Sequence, residues 1–443
     1  MTTTDTPTLQ RALGLPALVL FGLAYLVPLT VFTTYGIVTE ETGGRVALAY
    51  VVTTIAMFFT ALSYARMVKA FPVAGSAYTF TQRTFGGHAG FLAGWTLLLD
   101  YLFLPMINYL VIGIYLSAEF PSVPTWVWIL SAIAIVTTLN VLGITSIARA
   151  STIIVAVQVI FVIVFCTLAI RNVTGTSDPV TNPLIGDGSA TGMAPLLAGA
   201  AILCLSFLGF DAVSTMAEEA TRPTIDIPRA IVTVTLLGGV MFVVLSALAQ
   251  LAHSPTTFDD PDAATLDVTA AVSGPWLGTF FTAAYVAGCM GSALTSQASV
   301  TRIMYVMGRE GVLPQPLATL AERWRTPVVA IGLVSTVSLL AVVVPLSLLT
   351  SVVSFGALIA FSAVNLAVVK HYAVDQGRRQ GLDAARYIVA PLLGLAMCLW
   401  LWTSLSANSL LLGLGWLAVG ALWLGFLTRG FRRPPPQLSF QES

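Results

Sequence analysis

Charge is the scarcest property of this sequence: Asp, Glu, Lys and Arg together make up 9% of its 443 residues, against roughly 25% in an ordinary soluble domain. A chain of this size folding in water needs a large polar surface, so a soluble globular protein is excluded. Cysteine is sparse as well. Cys166, Cys204, Cys289 and Cys398 all fall in apolar stretches without paired spacing, which excludes a disulfide framework or a zinc site and assigns them to packing. No catalytic cluster, metal-ligand set or nucleic-acid module can be picked out, so the chain is read as not an enzyme, with no cofactor, no metal and no nucleic-acid partner. The opening residues, Met1 to Gln10, lack a cationic start and a small-residue cleavage site, and read as a short cytoplasmic tail rather than a signal peptide.

Apolar residues, by contrast, make up 57% of the chain, in runs of about 20 that are each long enough to cross a bilayer. Windows bounded by charge, Gly and Pro predict twelve transmembrane helices near 14–38, 46–68, 89–117, 124–144, 149–170, 194–217, 227–252, 275–301, 327–345, 348–370, 387–404 and 408–428. The fold class expected is therefore an all-α membrane protein. One transmembrane domain spans 14–428, between a tail at 1–13 and a tail at 429–443. With the N-terminus in the cytoplasm, every Lys and Arg except Arg45 and Arg171 falls on the cytoplasmic side, as the positive-inside rule requires, so both termini face the cytoplasm. The outer loops are acidic, with Glu40, Glu41, Glu119, Asp178, Asp187, Asp259, Asp260, Asp262 and Asp267. They read as solvated loop surface or, alternatively, as a collector of cations at an entrance.

Two spans contain interruptions. In the first, GLAYLVPLT at 22–30 places Pro28 in mid-membrane, where it has no amide proton and clashes with the preceding turn. Lipid does not accommodate the freed backbone groups, so either the helix unwinds beside a cavity or it merely kinks. In the sixth, SFLGFD at 206–211 sets Gly209 beside Asp211 halfway along an apolar helix. Two breaks five helices apart suit an inverted-repeat transporter with substrate held between broken helices. Repeat one would be about 14–170 and repeat two about 194–370, with helices 11 and 12 at about 387–428.

Only Asp100, in the third span, and Asp211 lie well inside the membrane, and no Lys or Arg accompanies them at that depth. An ionised Asp at a helix centre costs about 2.5–3.5 kcal/mol on insertion scales, so each marks a substrate or proton pathway, or else a neutral or water-bridged link between helices. Tyr101, Pro105 and Asn108 share a stripe of the third helix beside Asp100. A tyrosine and a bent backbone next to a carboxylate suit an ammonium group.

At these residues the chain resembles the amino acid–polyamine–organocation transporter superfamily, and within it the bacterial putrescine importers. The superfamily likeness rests on FPVAGSAY at 71–78, GFDAV at 209–213 leading to Glu218 and Glu219, and DIPRA at 226–230. The likeness to putrescine importers rests on GLAY at 22–25, LDYLFLPMIN at 99–108, and YVMGR at 305–309 followed by WRTP at 324–327. The resemblance implies a five-plus-five inverted-repeat (LeuT-like) fold with helices one and six unwound, two extra C-terminal helices, and proton-driven uptake of a small amine through the bacterial inner membrane. It implies a substrate site at Tyr25, Val27, Pro28, Thr30, Asp100, Tyr101, Asn108, Phe207, Gly209, Phe210 and Asp211, with Asp211 or Glu219 in proton coupling or gating. Carbonyls near Tyr25 to Val27 and at Gly209 would complete the site, and Tyr101 and Phe210 would wall it.

Three departures bear on the substrate. Amino acid permeases of this superfamily usually have a Gly-Thr-Gly or Gly-Ser-Gly turn in helix one, whose amides receive the substrate carboxylate. Here those positions read Pro28-Leu29-Thr30, which favours a substrate without a carboxylate. Thr33 stands where enteric putrescine importers have an Asp, which removes one ammonium partner. Gln158 stands where many proton-coupled relatives have a Lys, so that either Asp211 or a nearby acid such as Glu219 carries the proton or the protein exchanges substrates without net proton movement. The expected activity is import of putrescine or a related small amine, with a neutral or cationic amino acid permease as the alternative. The partners expected are the substrate, a proton and membrane lipids, and the protein is read as a monomer or homodimer.

Overall fold

The computed structural model describes residues 13–72, 76–142, 147–175, 181–218, 220–309, 311–321, 324, 326–430 and 432. Residues 1–12, 431 and 433–443 of the terminal tails, the middle of the FPVAGSAY run at 73–75, Asp178 and Glu219 lie outside the described residues. The described chain is almost entirely helical, and eleven of its helices are long and apolar enough to cross a membrane.

The first apolar run forms α1 (Leu15–Leu26), a 3-10 turn (Pro28–Phe32) and the short α2 (Tyr35–Thr42). Then come α3 (Val46–Ala70), α4 (Ser76–Phe85), α5 (Gly87–Glu119), α6 (Thr125–Leu142) and α7 (Ile147–Gly175). The sixth run is fragmented like the first, into α8 (Met193–Ile202) and 3-10 stretches over Leu203–Phe207 and Ala212–Glu218. The chain continues through α9 (Pro223–Ala252), α10 (Ala264–Ser273), α11 (Pro275–Arg309), α12 (Val328–Ser338) and α13 (Leu346–Val368). It closes with α14 (Leu382–Ala384), α15 (Ala390–Thr403) and α16 (Ala407–Leu427).

Two expectations need correction. The helix expected near 327–345 is shorter: with its terminal 3-10 turn it covers only Val328–Val342, roughly 23 Å at 1.5 Å per residue against about 30 Å of hydrocarbon. Proline explains both limits, since Pro327 precedes the first turn and Pro345 starts the next helix. The hydropathy reading also missed α4 and α10. Each has 10 residues, too few and too polar to register as spans.

Burial grades inward from the edges. The sixth run, Met193–Ala217, is 89% buried over its apolar window and α5 is 78% buried, whereas α16 is 17% buried. A transmembrane segment sheathed by protein can afford polar and irregular backbone that a lipid-facing one cannot. The most enclosed run is indeed one of the two that are broken. At one end of the bundle two of the acidic loop residues, Asp187 and Glu40, brace connections. Asp187 accepts from Ser189 N–H (2.7 Å) and Thr256 Oγ1 (2.5 Å), and Glu40 accepts from Phe258 N–H (3.0 Å). The Ser189 hydroxyl, which also donates to Asp187 Oδ1 (2.5 Å), then the Thr256 hydroxyl and the Ser189 N–H, hold the Asp187 carboxyl below its ordinary range. At the other end, Thr221 N–H donates to Leu13 O (2.9 Å), tying the start of α1 to the end of the sixth run.

Candidate functional site

The first break turns on Val27, whose φ is +52°, a left-handed conformation that a β-branched residue adopts only under tertiary constraint. Pro28 follows and contributes no amide. The carbonyls this exposes are not left open, as the sequence suggested. Thr30 Oγ1 lies 2.8 Å from Leu26 O and 2.7 Å from Val27 O, and Thr30 N–H also reaches Val27 O at 2.8 Å. One hydroxyl proton serves two acceptors, so acceptor capacity remains at this turn for a donor.

The second break is built differently. Leu208 is extended, Gly209 has φ +122°, and the Gly209 N–H is received by Asp211 Oδ1 at 3.2 Å. Ser214 closes the next turn on Asp211 O through both its N–H (2.9 Å) and its hydroxyl (2.6 Å). The two breaks touch. A Cβ added at Gly209 would stand 2.5 Å from Tyr25 Cδ1 and 3.1 Å from Leu26 N, so only glycine lets the two unwound backbones approach this closely.

Around that contact lies a buried polar group of residues. Asp100 and Asp211 are 6% and 5% exposed, and Asp100 Oδ1 has no hydrogen-bond partner. The two carboxyls interact electrostatically with each other and with Tyr25, Tyr64 and Tyr101. Ser76, from the FPVAGSAY run, lies beside Tyr64 and Asp211, although its hydroxyl completes no hydrogen bond of normal geometry. No Lys, Arg or His among the described residues forms a salt bridge with either carboxylate.

Next to this group is a cavity of about 40 Å³, room for a few waters. From the first run it is lined by Tyr25, Leu26, Val27, Thr30 and Thr33, from α5 by Leu104, Ile107, Asn108 and Val111, and from the sixth run by Leu205 and Leu208. The remaining wall comes from α11, through Tyr285, Cys289 and Ser292. Asn108 donates to Leu104 O (2.9 Å) and Ser292 Oγ (3.1 Å), and the Thr33 and Tyr285 hydroxyls bond to each other.

The structure thus brings Tyr25, Val27, Thr30 and Asn108 to the cavity and gathers Asp100, Tyr101, Gly209 and Asp211 beside it. It places the others elsewhere. Phe207 packs edge-on against Phe242, and Phe210 packs against Tyr64 and Phe361, so both rings fill core space. Pro28 is buried without lining the cavity. The α11 contribution was missed, and Cys289, assigned to packing, lines the cavity. The signal was present as the i, i+4, i+7 spacing of Tyr285, Cys289 and Ser292, which puts three polarisable groups on one helical face.

Two further polar residues behave unexpectedly. Gln158 is buried against Gly288 with its Oε1 unpartnered. Asp226 of the DIPRA run is fully buried and bound by Arg222 through two contacts, at 3.0 and 3.1 Å, in the first turn of α9. That placement gives the motif a structural role, as a carboxylate in the first turn of the helix held by a bidentate arginine. A larger cavity of about 260 Å³ lies near the C-terminal end of α5, lined by Ile114, Ser117, Ala118, Thr125, Asp260 and Asp262. Burial, and then the Asp260 charge, raises the Asp262 carboxyl above its ordinary range.

The amino acid permease family matches residues 17–423. The chain is 38% identical to the low-affinity putrescine importer PlaP of Escherichia coli K12 over 435 residues, 97% of this chain and 96% of that protein. It is 29% identical to the branched-chain amino acid permease BcaP of Bacillus subtilis over 94% of this chain and 93% of that protein. With the mouse cationic amino acid transporter 4 the identity is 27%, over 82% of this chain and 60% of the relative.

Proposed function

Because the chain belongs to the amino acid permease family, we propose that it is a secondary active transporter that imports putrescine or a related small amine by alternating access, coupled to protons. The observation that carries this reading is the pair Asp100 and Asp211, buried beside the junction of the two broken helices with no salt-bridging Lys, Arg or His among the described residues. Buried carboxylates without a basic partner suit a cationic ligand, which supplies the missing charge and further donors together. The first break adds to this by presenting carbonyl oxygens at Leu26 and Val27, which accept from an ammonium and repel a carboxylate. The 38% identity to a putrescine importer supports the same substrate class.

The cavity of about 40 Å³ is too small for a four-carbon diamine, so loading requires the broken segments to separate. Both termini lie in the cytoplasm of a bacterial inner-membrane protein on this reading, with Val328–Val342 as a short twelfth span and two five-helix halves in inverted orientation. Protons enter through Asp211 or Glu219, since Gln158 carries no titrating group. The competing reading, an amino acid permease, draws on the permease and transporter relatives.

Labelled uptake into proteoliposomes, with an inward proton gradient, separates the two. Saturable putrescine uptake that rises with external acidity is the expected result. Purified, well-folded protein that moves amino acids and ignores diamines would make the permease reading correct. A thermal-shift series with diamines and amino acids at two pH values gives an independent readout, because a specific ligand stabilises the protein by mass action.

A further inference from the structure

Resting on that reading of the site, we propose that the site holds its substrate by one ammonium only and receives the other end in a neutral cavity, so that primary monoamines and amino alcohols of diamine length are ligands too. Both carboxylates lie at one end. On α5, Asp100 precedes the lining residues Leu104 to Val111, which at 1.5 Å per residue begin about 6 Å and end about 16 Å further along the axis. In the first run, Tyr25 interacts electrostatically with Asp100 and Asp211 and packs against Gly209, two residues before Asp211, while Thr33 lies beyond the break with its hydroxyl on Tyr285.

Among the described residues, the groups lining the cavity include hydroxyls, one amide, one thiol, carbonyls and alkyl carbon, and no Asp, Glu, Lys, Arg or His. An ammonium arriving at the Thr33 end meets dipoles but no opposite charge, whereas a hydroxyl or methyl group there is hydrogen-bonded or simply buried. A pocket discriminates strongly only against an analogue that leaves one of its own buried polar groups unpaired. Removing the second ammonium of a diamine orphans no carboxylate here, so the site has little means of rejecting the monoamine.

The test uses full-length protein in proteoliposomes, with labelled putrescine competed by unlabelled putrescine, 4-amino-1-butanol and 1-aminobutane, and with thermal stabilisation by the same three compounds measured in parallel. The expected result is that both monocations half-inhibit uptake within about tenfold of putrescine, a difference below about 1.4 kcal/mol. Competition or stabilisation more than about tenfold weaker would overturn the inference while leaving diamine import intact. Stabilisation by the monocations without putrescine transport would sustain the inference and defeat the diamine reading, and stabilisation by none of the three would defeat both. Thr33→Asp adds a carboxylate at the neutral end and is expected to favour putrescine over 4-amino-1-butanol by about tenfold more than the wild type does.

Discussion

The two helix breaks solve the same problem with different chemistry. At the first, a β-branched residue with φ +52° reverses the chain and a neutral hydroxyl, Thr30, covers the released carbonyls. At the second, a glycine with φ +122° reverses it and a carboxylate, Asp211, receives the released amide. One break therefore leaves its carbonyl acceptors only partly covered and the other is built around a carboxyl group, so together they suit a ligand rich in donors. The difference also separates packing from recognition: Gly209 makes the junction possible sterically, Asp211 gives it charge, and Thr30 tunes the carbonyls.

Four substitutions test that division. The largest effect is expected at the contact between breaks. Gly209→Val combines a disfavoured φ with a Cβ 2.5 Å from Tyr25, and should cost about 3–5 kcal/mol, visible as loss of monodisperse protein or a large drop in melting temperature. Wild-type stability in this variant would show that the breaks do not meet there.

Asp211→Asn keeps an acceptor for the Gly209 amide and loses the charge. Uptake should fall about tenfold to a hundredfold, with the melting temperature nearly unchanged. If transport and its pH dependence survive intact, Asp211 acts only as a cap, like Thr30.

Thr30→Val removes the hydroxyl at nearly constant shape, with an expected cost of about 1 kcal/mol and a higher KM, while Thr30→Ser should restore both. Equal behaviour of the Val and Ser variants would mean that water covers these carbonyls as well as the threonine does. The smallest effect belongs to Val27→Gly. Relief of left-handed strain and loss of a buried side chain, each about 1–2 kcal/mol, should nearly cancel in thermal unfolding. A clear stabilisation would show that the valine side chain packs poorly at this turn.

Much of this architecture can be read locally. Hydropathy located the runs that became helices, and Pro28 and Gly209 marked the interruptions because each residue acts on its own backbone. Asp100 and Asp211 stood out because a carboxylate in an apolar run is costly wherever the chain goes. Val328–Val342 was overestimated because apolar composition continues past the residues that keep helical geometry. The resemblance implies Phe207 and Phe210 at the site, whereas their rings pack in the core because neighbouring helices supply aromatic partners there.

The sequence by itself determined that this is a polytopic membrane protein with two interrupted helices and two uncompensated carboxylates, since those follow from composition and from single-residue backbone chemistry. Tertiary structure alone decided which groups share the site. Thr33 meets Tyr285 across 252 residues and Asn108 meets Ser292 across 184, and no local pattern encodes a pairing made by helix packing. The same packing leaves the carboxylates at one end of a neutral cavity, because the rotation and depth of each helix are set by its neighbours rather than by its own residues.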